Sequence, residues 1–124
     1  TGGPFVGLHL GYHHYSTLLY FRYLEARNSL TELGKTCVSR CKHHASAYSA
    51  LLRMAREAEG CEAVYPTVGH MAGVSSSVLL HTLLFGDENE LENARRDLNS
   101  NFAALMELKQ YWANTTSMVC TCHL

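Results

Sequence analysis

Proline is scarce in this chain. Pro4 and Pro66 are the only two in 124 residues. An interior proline removes a helix hydrogen bond and clashes with the preceding turn, so the long proline-free stretches are open to uninterrupted helix. Charge is scarce too, at 17% of residues against 47% hydrophobic, a balance that excludes a disordered chain and fits a packed one. The net charge of −1 divides into +2 for residues 1–62 and −3 for residues 63–124, with no basic stripe in either half. Phosphate binding needs clustered cations, so no direct nucleic-acid contact is expected of this segment. No apolar run reaches the roughly 18 to 20 residues that span a bilayer, and the amino end lacks a basic region followed by an apolar core. Neither a membrane contact nor a leader is expected. Internal repeats, low-complexity tracts, a P-loop, a dinucleotide fingerprint and a calcium loop are absent as well. The five cysteines lack the spacing of a small secreted disulfide scaffold, which points to a reducing compartment.

What is present is helical periodicity. The clearest stretch is Gly86 to Trp112. Asp87 followed by Glu90 has the form of a capping box, and Asp87, Glu88, Glu90 and Glu92 crowd the positive end of the helix dipole. Leu91, Ala94, Leu98, Phe102, Leu105, Leu108 and Trp112 then recur at steps of three and four, predicting one buried stripe.

Three earlier helices supply partners for that stripe. The first is expected to begin near Phe5 to Leu8, with Leu8, Tyr12, Tyr15, Leu19 and Tyr23 marking one face and Leu18 and Leu24 widening it. A helix so apolar is expected to be buried from several directions. Asn28 to Gly34 breaks the pattern, with Gly34 read as a stop. The second helix runs from Lys35 or Thr36 to Glu59 and buries Cys37, Cys41, His44, Tyr48, Leu51 or Leu52, and Ala55. It ends at Gly60-Cys61, with Glu62 to Tyr65 as connector. Pro66 suits the first turn of the third helix, because its missing N–H has no partner there anyway. That helix extends to Phe85 with a stripe of Met71, Val74, Val78, His81 or Leu80, and Phe85. Gly69, Ala72, Gly73 and Ser75 to Ser77 form a small-residue patch that lets another helix approach closely. Beyond Trp112, ANTTSMVCTCHL loses helical periodicity and reads as a frayed end. The expected fold is all-α, with about four long helices and short connectors.

Candidate chemistry is thin. His9 and His13 lie one helical turn apart, and Cys37, Cys41 and His44 share a helix face, so His9, His13, Cys37, Cys41 and His44 are the residues of a metal hypothesis. Structural zinc wants four convergent ligands, whereas these cysteines lie within a helix and are equally at home as small core hydrophobes. A cysteine nucleophile needs a base held by a third group, and nothing in the spacing aims His43 or His44 at Cys41. Ser75-Ser76-Ser77 lacks a nucleophile-elbow context. Cys120-x-Cys122-His123 is too short and too terminal for a ligand set, and Asn114-Thr115-Thr116 matches a glycosylation sequon of a kind that often arises by chance. No catalytic residue is assigned.

Several stretches in order resemble the regulatory middle homology region of fungal zinc binuclear cluster transcription factors, the type named for the xylanolytic activator. The resemblance lies in Leu8-His9-Leu10-Gly11-Tyr12-His13 with Leu18-Leu19-Tyr20 and Tyr23-Leu24. It continues through Cys41-Lys42-His43-His44-Ala45 with Leu51-Leu52, and His70-Met71 through His81. It closes with Ala94, Leu98, Leu105, Leu108 and Tyr111-Trp112. It spans residues 8 to 112. The resemblance implies a nuclear, non-catalytic regulatory region of an activator of RNA polymerase II transcription, with carbohydrate-catabolism genes as the subtype. Implied partners are other parts of the parent activator, a corepressor or coactivator, and a small-molecule effector. The family's zinc sits in a six-cysteine DNA-binding cluster, and this chain has no C-x2-C, so zinc is expected only in a separate part of the parent. The family's regulatory regions are longer, so the chain reads as a fragment of a larger helical array, and VCTCHL after Met118 departs from the expected continuation. Uncovered apolar faces on such a piece predict self-association or marginal stability of the isolated chain. The alternative from the residues themselves is a small helical metal-binding or redox protein using His9, His13, Cys37, Cys41 and His44. A helical enzyme with a histidine-lined pocket is the third reading.

Overall fold

In a computed structural model of the chain, backbone is described for residues 2–25, 30–57 and 66–123, and side chains for 5–25, 30–57 and 68–110. The expected ends at Gly60-Cys61, the connector to Tyr65, and the side chains of Trp112, Asn114, Cys120, Cys122 and His123 fall outside them. Four helices pack together, α1 (Gly2–Tyr20), α2 (Glu32–Glu57), α3 (Pro66–Phe85) and α4 (Glu88–His123), with a 3-10 turn at Phe21–Leu24. Among the described residues there is no strand. The fold is all-α, and α2 is its centre, touching the other three helices.

Local chemistry sets the helix ends. Thr31 Oγ1 accepts the Gly34 N–H at 2.9 Å, an N-cap that starts α2 four residues ahead of Thr36. Gly34, read as a stop, is therefore buried inside the first turn. Glu32 at that end and Arg56 in the last turn both suit the helix dipole. Pro66 opens α3 as expected. Gly86 separates α3 from α4 because its N–H lies 2.7 Å from the Thr82 carbonyl and a Cβ there would stand 2.5 Å from the same oxygen. Asp87 precedes α4, while Glu90 directs its carboxylate to Lys42 on α2 at 2.8 Å. The backbone of α4 stays helical to His123, past the point where apolar periodicity ends. Periodicity reports a buried stripe, not the backbone ladder, which explains that difference.

The core forms three clusters. Leu10, Tyr48, Leu52, Val68, Ala72 and Ala104 make the largest, with contributions from all four helices. Cys41, Ala45 and Val78 join α2 to α3. Leu79, Ala94 and Leu98 join α3 to α4. The expected α2 stripe is present, with Cys37, Cys41, Tyr48, Leu52 and Ala55 all buried. The small-residue patch on α3 is half right: Ala72, Ser75 and Ser76 are buried, and Leu108 comes to 3.2 Å of a Cβ built at Gly69. Gly73 instead faces open space, so Gly73→Ala is expected to stabilise the fold by about 0.5–1 kcal/mol through helix propensity alone. Chemical denaturation of the two chains side by side measures it.

Three expectations are corrected. On α1 the stripe of Leu8, Tyr12, Tyr15 and Leu19 points to solvent, and Leu10, His14 and Thr17 point inward. Both faces of α1 repeat at three and four residues, so spacing alone does not choose between them. On the inward face the Thr17 hydroxyl is satisfied by the His13 carbonyl of its own helix, and the Thr17 backbone carbonyl accepts the Cys41 thiol at 3.5 Å. On α4, Phe102 is exposed, whereas Asp97 and Asn101 are buried against serines of α2 and α3. On α3, Val68–Phe85 is 18 residues with mean hydropathy 1.3, long and apolar enough by length and composition to cross a membrane. Its serines and Thr82 had interrupted the apolar run in the sequence. Ser75 bonds to the Ala45 carbonyl of α2 and Ser76 accepts from Asn101 of α4, so the polar residues of this uncharged helix are used in packing.

Candidate functional site

Three features compete as the working part of the molecule: a histidine seam between α1 and α2, a polar cleft between α2, α3 and α4, and the outer face of α1.

The seam follows from the inward turn of α1. His13 and His44 meet with their Nδ1 atoms 3.0 Å apart. At that distance one ring donates and the other accepts, so the pair holds together only while at least one nitrogen is unprotonated. The Tyr20 ring lies nearly parallel to His44 at 6.4 Å, and its hydroxyl is 3.3 Å from Arg40. Tyr12 and His43 stand edge-on to His44 at 5.5 and 5.1 Å. Burial, then the cationic forms of His44, His43 and His9, pushes the His13 pKa below 6.5. Burial, His43 and Arg40 do the same to His44, while burial and His70 lower His14.

A stability prediction follows from these directions. Unfolded imidazoles take up protons at their ordinary value, near 6.5, whereas the folded ones resist. The unfolded state therefore binds more protons below that value. Stability should be complete above about pH 6.5 and decline as the pH falls through the lowered folded-state values. Melting temperatures at pH 8 and pH 5 should fall in that order, and His13→Gln should shrink the difference. A flat profile would contradict the seam geometry.

The five residues of the metal hypothesis do not form one site. His13 and His44 come together, but the His9 ring packs on Phe5 at 4.4 Å and the Cys41 thiol turns to the Thr17 carbonyl. Burial pushes the Cys41 thiol up to about 11, so it is a protonated core thiol and not a thiolate at neutral pH. Cys37 is buried as well. Among the described residues no group of three or more His, Cys, Asp or Glu is placed to hold a metal ion. Nor does His43 or His44 reach Cys41 as a base, since His44 is engaged with His13 and His43 is exposed.

The polar cleft was not foreseen. It encloses about 920 Å³, with Lys42, Ser46, Glu90, Asn93 and Asp97 among its lining. The Lys42–Glu90 ion pair ties α2 to α4 beside it. Asp97, almost fully buried, accepts the Ser46 hydroxyl at 2.7 Å and stands 3.9 and 3.8 Å from Arg53 and Arg96. Ser49 bonds the Asp97 carbonyl, and Asn101 donates to Ser75 and Ser76 at 3.1 and 3.2 Å. The available signal was the pairing of Ser46 and Ser49 on α2 with Asp97 and Asn101 on α4, each a polar pair at one-turn spacing beside an apolar stripe. Chemically the cleft is a structural network: its hydroxyls are bonded to carbonyl and carboxylate groups, and no base and orienting partner flank a nucleophile among the described residues.

The outer face of α1 is the third feature. Phe5, Leu8, Tyr12, Tyr15 and Leu19 are 59–72% exposed, far more apolar surface than a packed helix leaves to water. No family model, curated protein or solved structure matches the chain.

Proposed function

We propose that this chain is a helical interaction region and not a catalyst: the regulatory segment of a fungal-type activator of RNA polymerase II transcription, acting in the nucleus. Carbohydrate-catabolism genes are the target class suggested by the sequence resemblance. The observation that carries the interaction reading is the outer face of α1, a row of large apolar side chains left open while the opposite face of the same helix is packed. Four helices with an uncovered side are what a docking segment requires. Other parts of the parent activator, a corepressor or coactivator, and a small-molecule effector are the partner classes that fit. Zinc belongs, on this reading, to a DNA-binding cluster elsewhere in the parent. The transcript on either side of this segment tests the assignment. An upstream six-cysteine cluster with two C-x2-C pairs supports it; a transcript encoding only these 124 residues defeats it.

The His13–His44 contact is the observation that favours the metal or redox reading. The two readings part on metal dependence. For the interaction region, exhaustive chelation should leave helicity and melting temperature unchanged, because the three core clusters are built from side-chain packing. Stoichiometric zinc or iron in protein purified without added metal, and unfolding on its removal, would favour the metal-binding protein instead.

A further inference from the structure

The open face of α1 has a defined spacing. Phe5, Leu8, Tyr12, Tyr15 and Leu19 follow one another at three, four, three and four residues, the a and d rhythm of a coiled-coil seam. That rhythm aligns the side chains along one line of the helix, the arrangement that receives a second helix at a shallow crossing angle. A seam of this kind selects a helix over an extended peptide or a flat surface.

The flanks indicate which helix. α1 contains no Asp, Glu, Lys or Arg anywhere from Gly2 to Tyr20, so two copies brought face to face meet no like charge. The positions beside the seam include Gly11 and Ser16, and a Cβ built on Gly11 meets nothing within 4 Å, which leaves room for close approach. Size agrees. Aromatic side chains offer about 150–250 Å² each, so the exposed fractions of the five seam residues amount to roughly 600 Å². That is the lower end of what a standard interface buries per partner and the upper end of the patch an ordinary monomer leaves open. Tyr12 stands at the middle of the five, so it lies at the centre of the pairing whether the helices run parallel or antiparallel.

We propose that the occupant of this face is α1 of a second copy of the chain, in a closed two-fold dimer. The proposal rests on reading the face as a docking surface and names what docks there. Because the seam residues are exposed in the single chain, charges can be placed on them without entering the core. Sedimentation equilibrium of the 124-residue chain should give twice its 13.8 kDa mass at tens of micromolar, with reversible dissociation on dilution. Leu8→Glu with Leu19→Glu should weaken the dimer at least about 100-fold, and circular dichroism should show helicity retained. Leu8→Lys with Leu19→Lys should behave alike, and mixing the two variants should restore a 1:1 pair, because either orientation brings opposite charges along the seam. If the charged variants lose helicity, Leu8→Ser with Leu19→Ser serves in their place, with a smaller weakening in the same direction. A wild-type chain that stays monomeric at roughly 100 μM, an open-ended series of larger species, or a dimer indifferent to these substitutions overturns the proposal. A monomeric wild type bears on the dimer alone, since a different partner helix docking on this face would still reveal itself as altered reporter transcription that Leu8→Glu with Leu19→Glu abolishes.

Discussion

Tyr48→Ala is expected to remove about 3–5 kcal/mol of stability, the largest single loss available in the described core. Tyr48 is completely buried on the central helix and packs within the cluster that draws on all four helices. Removing its ring deletes contacts to α1, α3 and α4 at once and leaves a cavity that surrounding helices can only partly close. Its hydroxyl also donates to the Val68 carbonyl at 3.2 Å in the first turn of α3. Burial accordingly drives the phenol pKa far above its ordinary value, so the ring enters the core neutral. Against a total stability of about 5–15 kcal/mol for a domain, that loss takes most of the margin of a fold at the low end of the range. Tyr48→Phe keeps the ring and loses only the hydroxyl bond, about 1 kcal/mol. Urea midpoints read both, and a mild Tyr48→Ala effect would show that α2 is not the centre of the packing.

The second large effect is expected at Asp97. Asp97→Ala should cost about 2–3 kcal/mol, less than the rupture of a fully enclosed ion pair. Two facts set that size. The carboxylate is almost completely buried and holds the Ser46 hydroxyl at 2.7 Å, so its loss leaves a half-buried hydroxyl seeking a partner. The guanidinium groups stand farther off, at 3.9 and 3.8 Å, and the Arg96 side chain is 61% exposed, so water replaces much of what they lose. Ser46→Ala takes one donor from the buried Asp97 carboxylate but leaves both guanidinium groups near it, and should cost about 1–2 kcal/mol. The pair of variants measured by denaturation separates a network anchored on the Ser46 bond from one anchored on the arginines. Equal losses would favour the hydroxyl alone; a loss at Asp97 far above 3 kcal/mol would favour the charges.

How much of this was readable beforehand depends on which signal carried it. The helices and their number were legible, because three-and-four spacing and a proline at a first turn are local signals; Pro66 begins α3 where it should. So was the α2 core face, since its alternative face carries Lys35, Arg40 and Lys42 and polarity decides the matter. On α1 no charge breaks the tie between two apolar faces, and the inward one carries Thr17, whose hydroxyl bonds back to the His13 carbonyl within the helix, and His14, which packs edge-on to His70 of α3. Phe102 lost its expected place to Asn101 because serines one helix away supply partners for a buried amide. The His13–His44 contact joins residues 31 apart, and spacing along one helix says nothing about such a pair. The Thr31 cap is a local signal as well, but Gly34 three residues later carries the opposite one, and the cap prevails because its hydroxyl satisfies the Gly34 N–H.

The central claim is that the outer face of α1 is where this chain does its work. The direct measurement places the chain between a heterologous DNA-binding domain and an activating segment and compares reporter transcription for the wild type, Leu8→Glu with Leu19→Glu, and an inert flexible linker of similar length. The account predicts that the wild-type chain alters reporter output relative to the linker. It also predicts that the double substitution abolishes the difference while the melting temperature of the isolated chain stays within a few degrees. Wild type and double variant giving the same altered output, with both chains folded, would contradict it and move attention from α1 to the polar cleft around Asp97.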